Sequence, residues 1–120
     1  MNVSVDLART LLSNVRSVVS QVADLSYQKR VWLGDVPNER SSFVEIYYAI
    51  EGADIDAIRS HRKGLGCTDQ EWELILRFLV RFLMYYSETN DVYAQEEIIL
   101  DPHWLTVVAA AKDALEAQPR

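Results

Sequence analysis

The sequence predicts an all-α fold, a single-domain bundle of about four to five helices around one central apolar helix. Three observations carry this. Apolar residues recur at helical spacing over long segments, helix-start signals stand directly before those segments, and glycines stand where they end. No internal repeat, low-complexity tract or compositional break divides residues 1–120, so one domain is expected throughout.

The first helix spans about residues 5–25. Val5, Leu7, Ala8, Leu11, Leu12, Val15, Val18, Val19, Val22 and Leu25 fall in one arc of about 160° at 100° per residue. Ser4 is its expected N-cap, with a hydroxyl that can accept from an unpaired backbone N–H. The valines lower helix propensity and leave a local strand reading open, but the period favours helix. Residues 27–40, with Trp32, Gly34 and Pro37, read as an irregular connector.

Ser42-Phe43-Val44-Glu45 matches a capping box and opens a second helix, with Phe43, Ile46, Tyr47 and Ile50 as its stripe and Gly52 as its stop. A short third helix over residues 54–63 would bury Ile55 and Ile58. It ends in Gly64-Leu65-Gly66, where glycine permits a left-handed turn. Thr68-Asp69-Gln70-Glu71 is a second capping box and opens the expected central helix, residues 68–87. Its apolar side chains, from Trp72 to Tyr86, cover an arc of about 240° and leave a strip with Glu73, Arg77, Arg81 and Met84 for solvent or a polar partner. A helix so widely apolar is expected to be covered on at least two sides. Residues 87–91 read as loop, and residues 93–100 fit a short helix or an extended segment. Asp101-Pro102 marks the last helix start. Trp104, Val108, Ala111 and Leu115 form its inward stripe, and Ala109, Ala110, Ala111 and Ala114 would allow a close neighbour.

Composition narrows the function. With 49% hydrophobic and 25% charged residues the chain belongs with globular proteins. No cationic-then-apolar secretory signal is evident. The most apolar stretch, residues 74–86, is interrupted by Arg77 and Arg81 and is too short to span a bilayer, so no membrane partner is expected. The single cysteine, Cys67, fits a reducing compartment, and cytoplasm is the expected location. A net charge of −6 argues against phosphate neutralisation and hence against nucleic acid as a partner.

No catalytic constellation stands out, so no enzyme activity, cofactor or metal is expected. His61, Cys67 and His103 are the soft ligand candidates, but their spacing is not a zinc pattern; His103 reads as an exposed first-turn residue. Cys67 precedes a helix N-terminus, which lowers thiol pKa values, yet Asp69 and Glu71 oppose a thiolate and an inert cysteine is the simpler reading. Asp54 and Asp56 read as a solvated acidic face. Arg77 and Arg81 could hold an anion; pairing with carboxylates, including Glu73 one turn away, is the more usual role.

The charge is concentrated in one place. Residues 88–101 hold Glu88, Asp91, Glu96, Glu97 and Asp101 with no Lys or Arg, which accounts for nearly all of the net −6. Such runs are often plain solvated surface. This one encloses Tyr93 and is flanked by Tyr85, Tyr86 and Trp104, and concentrated negative charge attracts cationic partners. Glu88, Asp91, Tyr93, Glu96, Glu97 and Asp101 are therefore the candidate partner-binding residues. Competing readings are an adaptor or assembly subunit, a small homo-oligomer rather than a monomer, that associates through aromatics of the residue 27–40 connector, and behind it a small metal-dependent enzyme or sensor.

Trp32-Leu33-Gly34, Ser42-Phe43-Val44-Glu45 and Ile99-Leu100-Asp101-Pro102-His103-Trp104 with an alanine-rich final helix resemble the small acidic immunity proteins of contact-dependent inhibition and other polymorphic toxin systems of bacteria. The resemblance covers about residues 31–115 and implies a cytoplasmic inhibitor of a cognate toxin domain. Many such toxins are nucleases with basic clefts, which an acidic face could occupy. In that setting the five acids would supply the field and Tyr93 an anchor.

Overall fold

The computed structural model of the chain describes residues 4–32, 43–89 and 95–119, the side chains of Gln95 and Glu96 excepted. Every regular element among them is helical: α1 (Val5–Ala23), α2 (Leu25–Trp32), α3 (Phe43–Glu51), α4 (Ile55–His61), α5 (Asp69–Thr89), α6 (Gln95–Leu100) and α7 (Pro102–Glu116). The all-α expectation holds, but seven helices among the described residues replace four to five.

One of the additional helices comes from Asp24. Ser4 caps α1 as expected, its hydroxyl accepting from the Leu7 N–H at 3.1 Å. At the other end the Asp24 N–H donates to the Gln21 carbonyl, while the Asp24 carboxylate accepts from the Tyr27 N–H at 2.9 Å. Asp24 thus closes α1 and starts α2, because a short acceptor side chain can satisfy orphan N–H groups of a new helix. The first part of the expected connector is therefore helical, and Trp32 in it is buried. The other additional helix, α6, settles the open reading of residues 93–100 over Gln95–Leu100.

The expected stripe of α1 is buried from Ala8 onward except at Leu11 and Leu25, which are half-buried, whereas Val5 and Leu7 are exposed. On α4, Asp54 caps the helix by accepting from the Ala57 N–H at 3.1 Å, Ile58 is buried and Ile55 half-buried. The following turn places Gly66 at φ +80°, where a side chain would be strained. Thr68 caps α5 by accepting from the Glu71 N–H at 3.0 Å. The helix continues through Ser87 and Glu88 to Thr89, past the expected start of the loop, and the Thr89 hydroxyl donates to the Tyr85 carbonyl at 2.7 Å.

The central helix is α7, not α5. It packs along both α1 and α5, while α2, α3 and α4 lie against α1 and α6 bridges α2 and α7. Small side chains explain the place: Ala110, Ala111 and Ala114 are buried and let two neighbours approach a single helix closely. At the head of α7 the fully buried Trp104 is ringed by aromatic neighbours, with Tyr85 at 5.3 Å, Phe43 at 5.6 Å, Trp32 at 5.8 Å and Phe82 at 6.0 Å between ring centroids. Such tilted and edge contacts add to plain area burial. Among the described residues no helix is long and apolar enough to cross a membrane.

Two polar links cross this core. Gln28 is completely buried; its amide donates to the Gln21 and Val22 carbonyls at 3.0 and 2.8 Å, and its oxygen accepts from the Trp104 indole N–H at 2.9 Å. One side chain so satisfies carbonyls at the end of α1 and the only donor of a buried indole. Glu71, also completely buried, accepts from Arg16 Nε at 2.9 Å and Nη2 at 2.7 Å. The reciprocal half of the expected capping box is therefore absent: Glu71 reaches across to α1 instead of back to Thr68.

Candidate functional site

The acidic segment begins on the last turn of α5. Glu88 is exposed there, one turn beyond Tyr85, and Tyr85 donates its phenol to the Asp101 carboxylate at 2.9 Å. The other carboxylate oxygen of Asp101 accepts from the His103 N–H at 2.9 Å and caps α7. Glu88 and Asp101 therefore lie at the same end of the α5–α7 pair, each fixed by a helix terminus. Glu97 is exposed on α6, whose Ile98 and Ile99 are buried and anchor it to the core. Asp91 and Tyr93 lie outside the described residues, and so does the side chain of Glu96.

The carboxylates are not equivalent. Asp101 is half-buried and both its oxygens are engaged, so it is a structural cap with a diminished capacity to meet a partner. Ion pairs among the described residues join Arg9 to Asp6, Arg16 to Glu71, Arg59 to Asp56 and Arg62 to Asp69; none involves Glu88 or Asp101. Of the flanking aromatics, Tyr85 and Trp104 belong to the core and cannot anchor a partner. Tyr86 is half-buried and stacked on Tyr47 at 3.7 Å with the rings 7° from parallel. Trp32 is likewise buried, which removes the tryptophan of the connector from any self-association surface.

A second surface was not legible in the residue pattern. Val80 and Leu83 of α5 are 57% and 43% exposed, although an arc of apolar residues that wide was expected to be covered, and Met84 on the expected solvent strip beside them is 58% exposed. The reason is the central position of α7, which leaves α5 with one inward face. On α3, Val44 and Tyr48 are also exposed, and a hydrogen bond with Glu51 raises the Tyr47 phenol above its ordinary range. Arg77 and Arg81 stay exposed, and among the described residues neither joins the carboxylates expected for it.

The chemistry-bearing side chains elsewhere are committed to the fold. Burial first, then the charge and hydrogen bond of Glu71, pushes the Cys67 thiol up to about 11, which keeps it protonated and unreactive. Asp54 and Asp56 are exposed as expected; Asp54 in addition caps α4 and Asp56 pairs with Arg59 at the surface. His103 is exposed in the first turn of α7. Among the described residues no group of three or more His, Cys, Asp or Glu side chains is placed to hold a metal ion. An open depression lined by Arg59, His61, Arg62 and Lys63 offers positive charge, but Arg59 and Arg62 are already paired with Asp56 and Asp69.

No protein-family model, curated protein or solved structure matches the chain.

Proposed function

We propose that the chain is a non-catalytic binding protein that neutralises a cognate bacterial toxin domain, engaging it through the acidic segment. The observation that carries this reading is the exposure of Glu88 and Glu97 on helices anchored in the core, within the stretch that holds nearly all of the net charge. Carboxylates held on rigid elements produce a directed field without an ordering cost at the moment of contact, which speeds encounter with a basic cleft. The resemblance of residues 31–115 to immunity proteins supports the choice of a toxin as that partner, and a nuclease domain has the cleft such a face would fit.

The test is binding to the toxin domain encoded beside this chain, with Asp91, Glu96 and Glu97 all replaced by lysine. Association of the variant should slow by about tenfold or more at low salt and lose its salt dependence. Unchanged association rates would refute the acidic face. Failure of the unaltered chain to protect cells producing the toxin domain would refute the toxin reading itself.

A further inference from the structure

We propose that the outer face of α5 is a seam between two copies of this chain, packed antiparallel about a two-fold axis. The inference does not depend on the toxin reading; of the acidic segment it uses Glu88, which the test of that reading leaves unaltered.

Leu76, Val80, Leu83 and Met84 lie within about 100° of one another around α5 and form a ridge along its exposed side. Of these, Val80 and Met84 are more than half exposed. Contiguous apolar surface of this kind on a helix marks a contact site. Tyr86 continues the ridge toward Tyr47 and Tyr48 on α3 through stacked and tilted rings.

The charges beside the ridge identify the occupant. Arg77 and Glu88 are both exposed and lie about three turns apart, so they stand on the same flank. In an antiparallel pair the same flanks of the two helices meet. An axis midway between Val80 and Met84 sets each Val80 against the other copy's Met84. The same axis carries Arg77 to the level of Ser87 and Glu88 in that copy. Two symmetric Arg77–Glu88 pairs then close the ends of an apolar seam. An isologous contact requires self-complementarity of this kind, since every patch must meet itself reversed. Antiparallel helix dipoles favour the arrangement as well. Arg81 lies on the same flank, about 20° beyond Glu88, at the solvent edge of the seam. One helix per copy makes a small interface, so dissociation is expected at concentrations on the order of micromolar.

Sedimentation equilibrium of the full chain over a concentration series tests this without any partner. The mass should rise from the 13.8 kDa of one chain toward twice that value. Val80→Glu should hold it at one chain, with circular dichroism and melting reported alongside because the site is exposed and should tolerate the change. Arg77→Glu should weaken dimerisation about tenfold or more by setting two acids together, and R77E/E88R should recover it by exchanging the pair. The proposal is overturned by a single-chain mass at every soluble concentration, by a V80E dimer, or by no recovery in R77E/E88R. The charge-exchange series keeps the question decidable should V80E fail to fold.

Discussion

Replacing Arg16 by alanine should destabilise the protein by about 3–4 kcal/mol, because it leaves the Glu71 carboxylate buried without its cation. Glu71 is completely inaccessible to solvent, and both of its oxygens take hydrogen bonds from the Arg16 guanidinium, at 2.9 and 2.7 Å. Removing one member of such a pair typically costs about 3–5 kcal/mol. The lower part of that range applies because the Arg16 side chain is 27% exposed, so truncation lets water approach the carboxylate. A chain of 120 residues unfolds with an entropy near 0.25 kcal/mol/K by the usual per-residue value, so the melting midpoint should fall by about 12–16 °C. Urea unfolding followed by circular dichroism measures the free energy directly. The control is R16M/E71M, which replaces both partners by apolar groups and should lie within about 1 kcal/mol of the natural chain, since desolvation of the pair offsets most of its attraction. A loss under about 1 kcal/mol in Arg16→Ala, or no recovery in the double variant, would show that Glu71 is hydrated and the reasoning mistaken.

Other perturbations should separate structural from partner-binding roles. Gln28→Leu strands the Trp104 indole N–H, takes the Gln28 donor from the Val22 carbonyl and leaves the Gln21 carbonyl only the Asp24 N–H, and should cost about 2–4 kcal/mol in urea unfolding, with altered tryptophan fluorescence. Asp101→Ala should cost about 2–3 kcal/mol by removing a helix cap and the acceptor of the Tyr85 phenol, whereas Asp101→Asn should retain most of the stability and lose little toxin binding. The Cys67 thiol, ordinarily at 9.0 and raised to about 11, binds its proton more tightly folded than unfolded. Its contribution is therefore complete below pH 9 and is lost as pH rises through 11, and unfolding titrations should show Cys67→Ala falling less over that interval. Native protein at pH 8 should also react with a thiol reagent only at the rate at which it opens.

Most of the helices were readable because their signals are local. Ser4, Thr68 and Asp101 all cap as their positions imply, and Gly66 takes the left-handed turn its neighbourhood requires. Asp24 carries the same kind of signal, but the uninterrupted apolar stripe from Val22 to Leu25 masked the break between α1 and α2. The candidate site was legible as a concentration of charge and no further. That Asp101 is also held by the Tyr85 phenol while Glu88 is open surface is a property of the α5–α7 packing.

The amino-acid order alone determined the helical class, most helix starts and the acidic stretch, since each depends on residues within a turn or two of one another. Only the tertiary structure decided that Arg16 meets Glu71 across 55 positions and Gln28 meets Trp104 across 76. It also decided that α7 takes the centre and leaves Val80 and Leu83 in solvent. A helical period states which face of a segment is apolar, but not which other face will cover it. That choice rests on side-chain volumes summed over the whole core, where three alanines on α7 outweighed the broader apolar arc of α5.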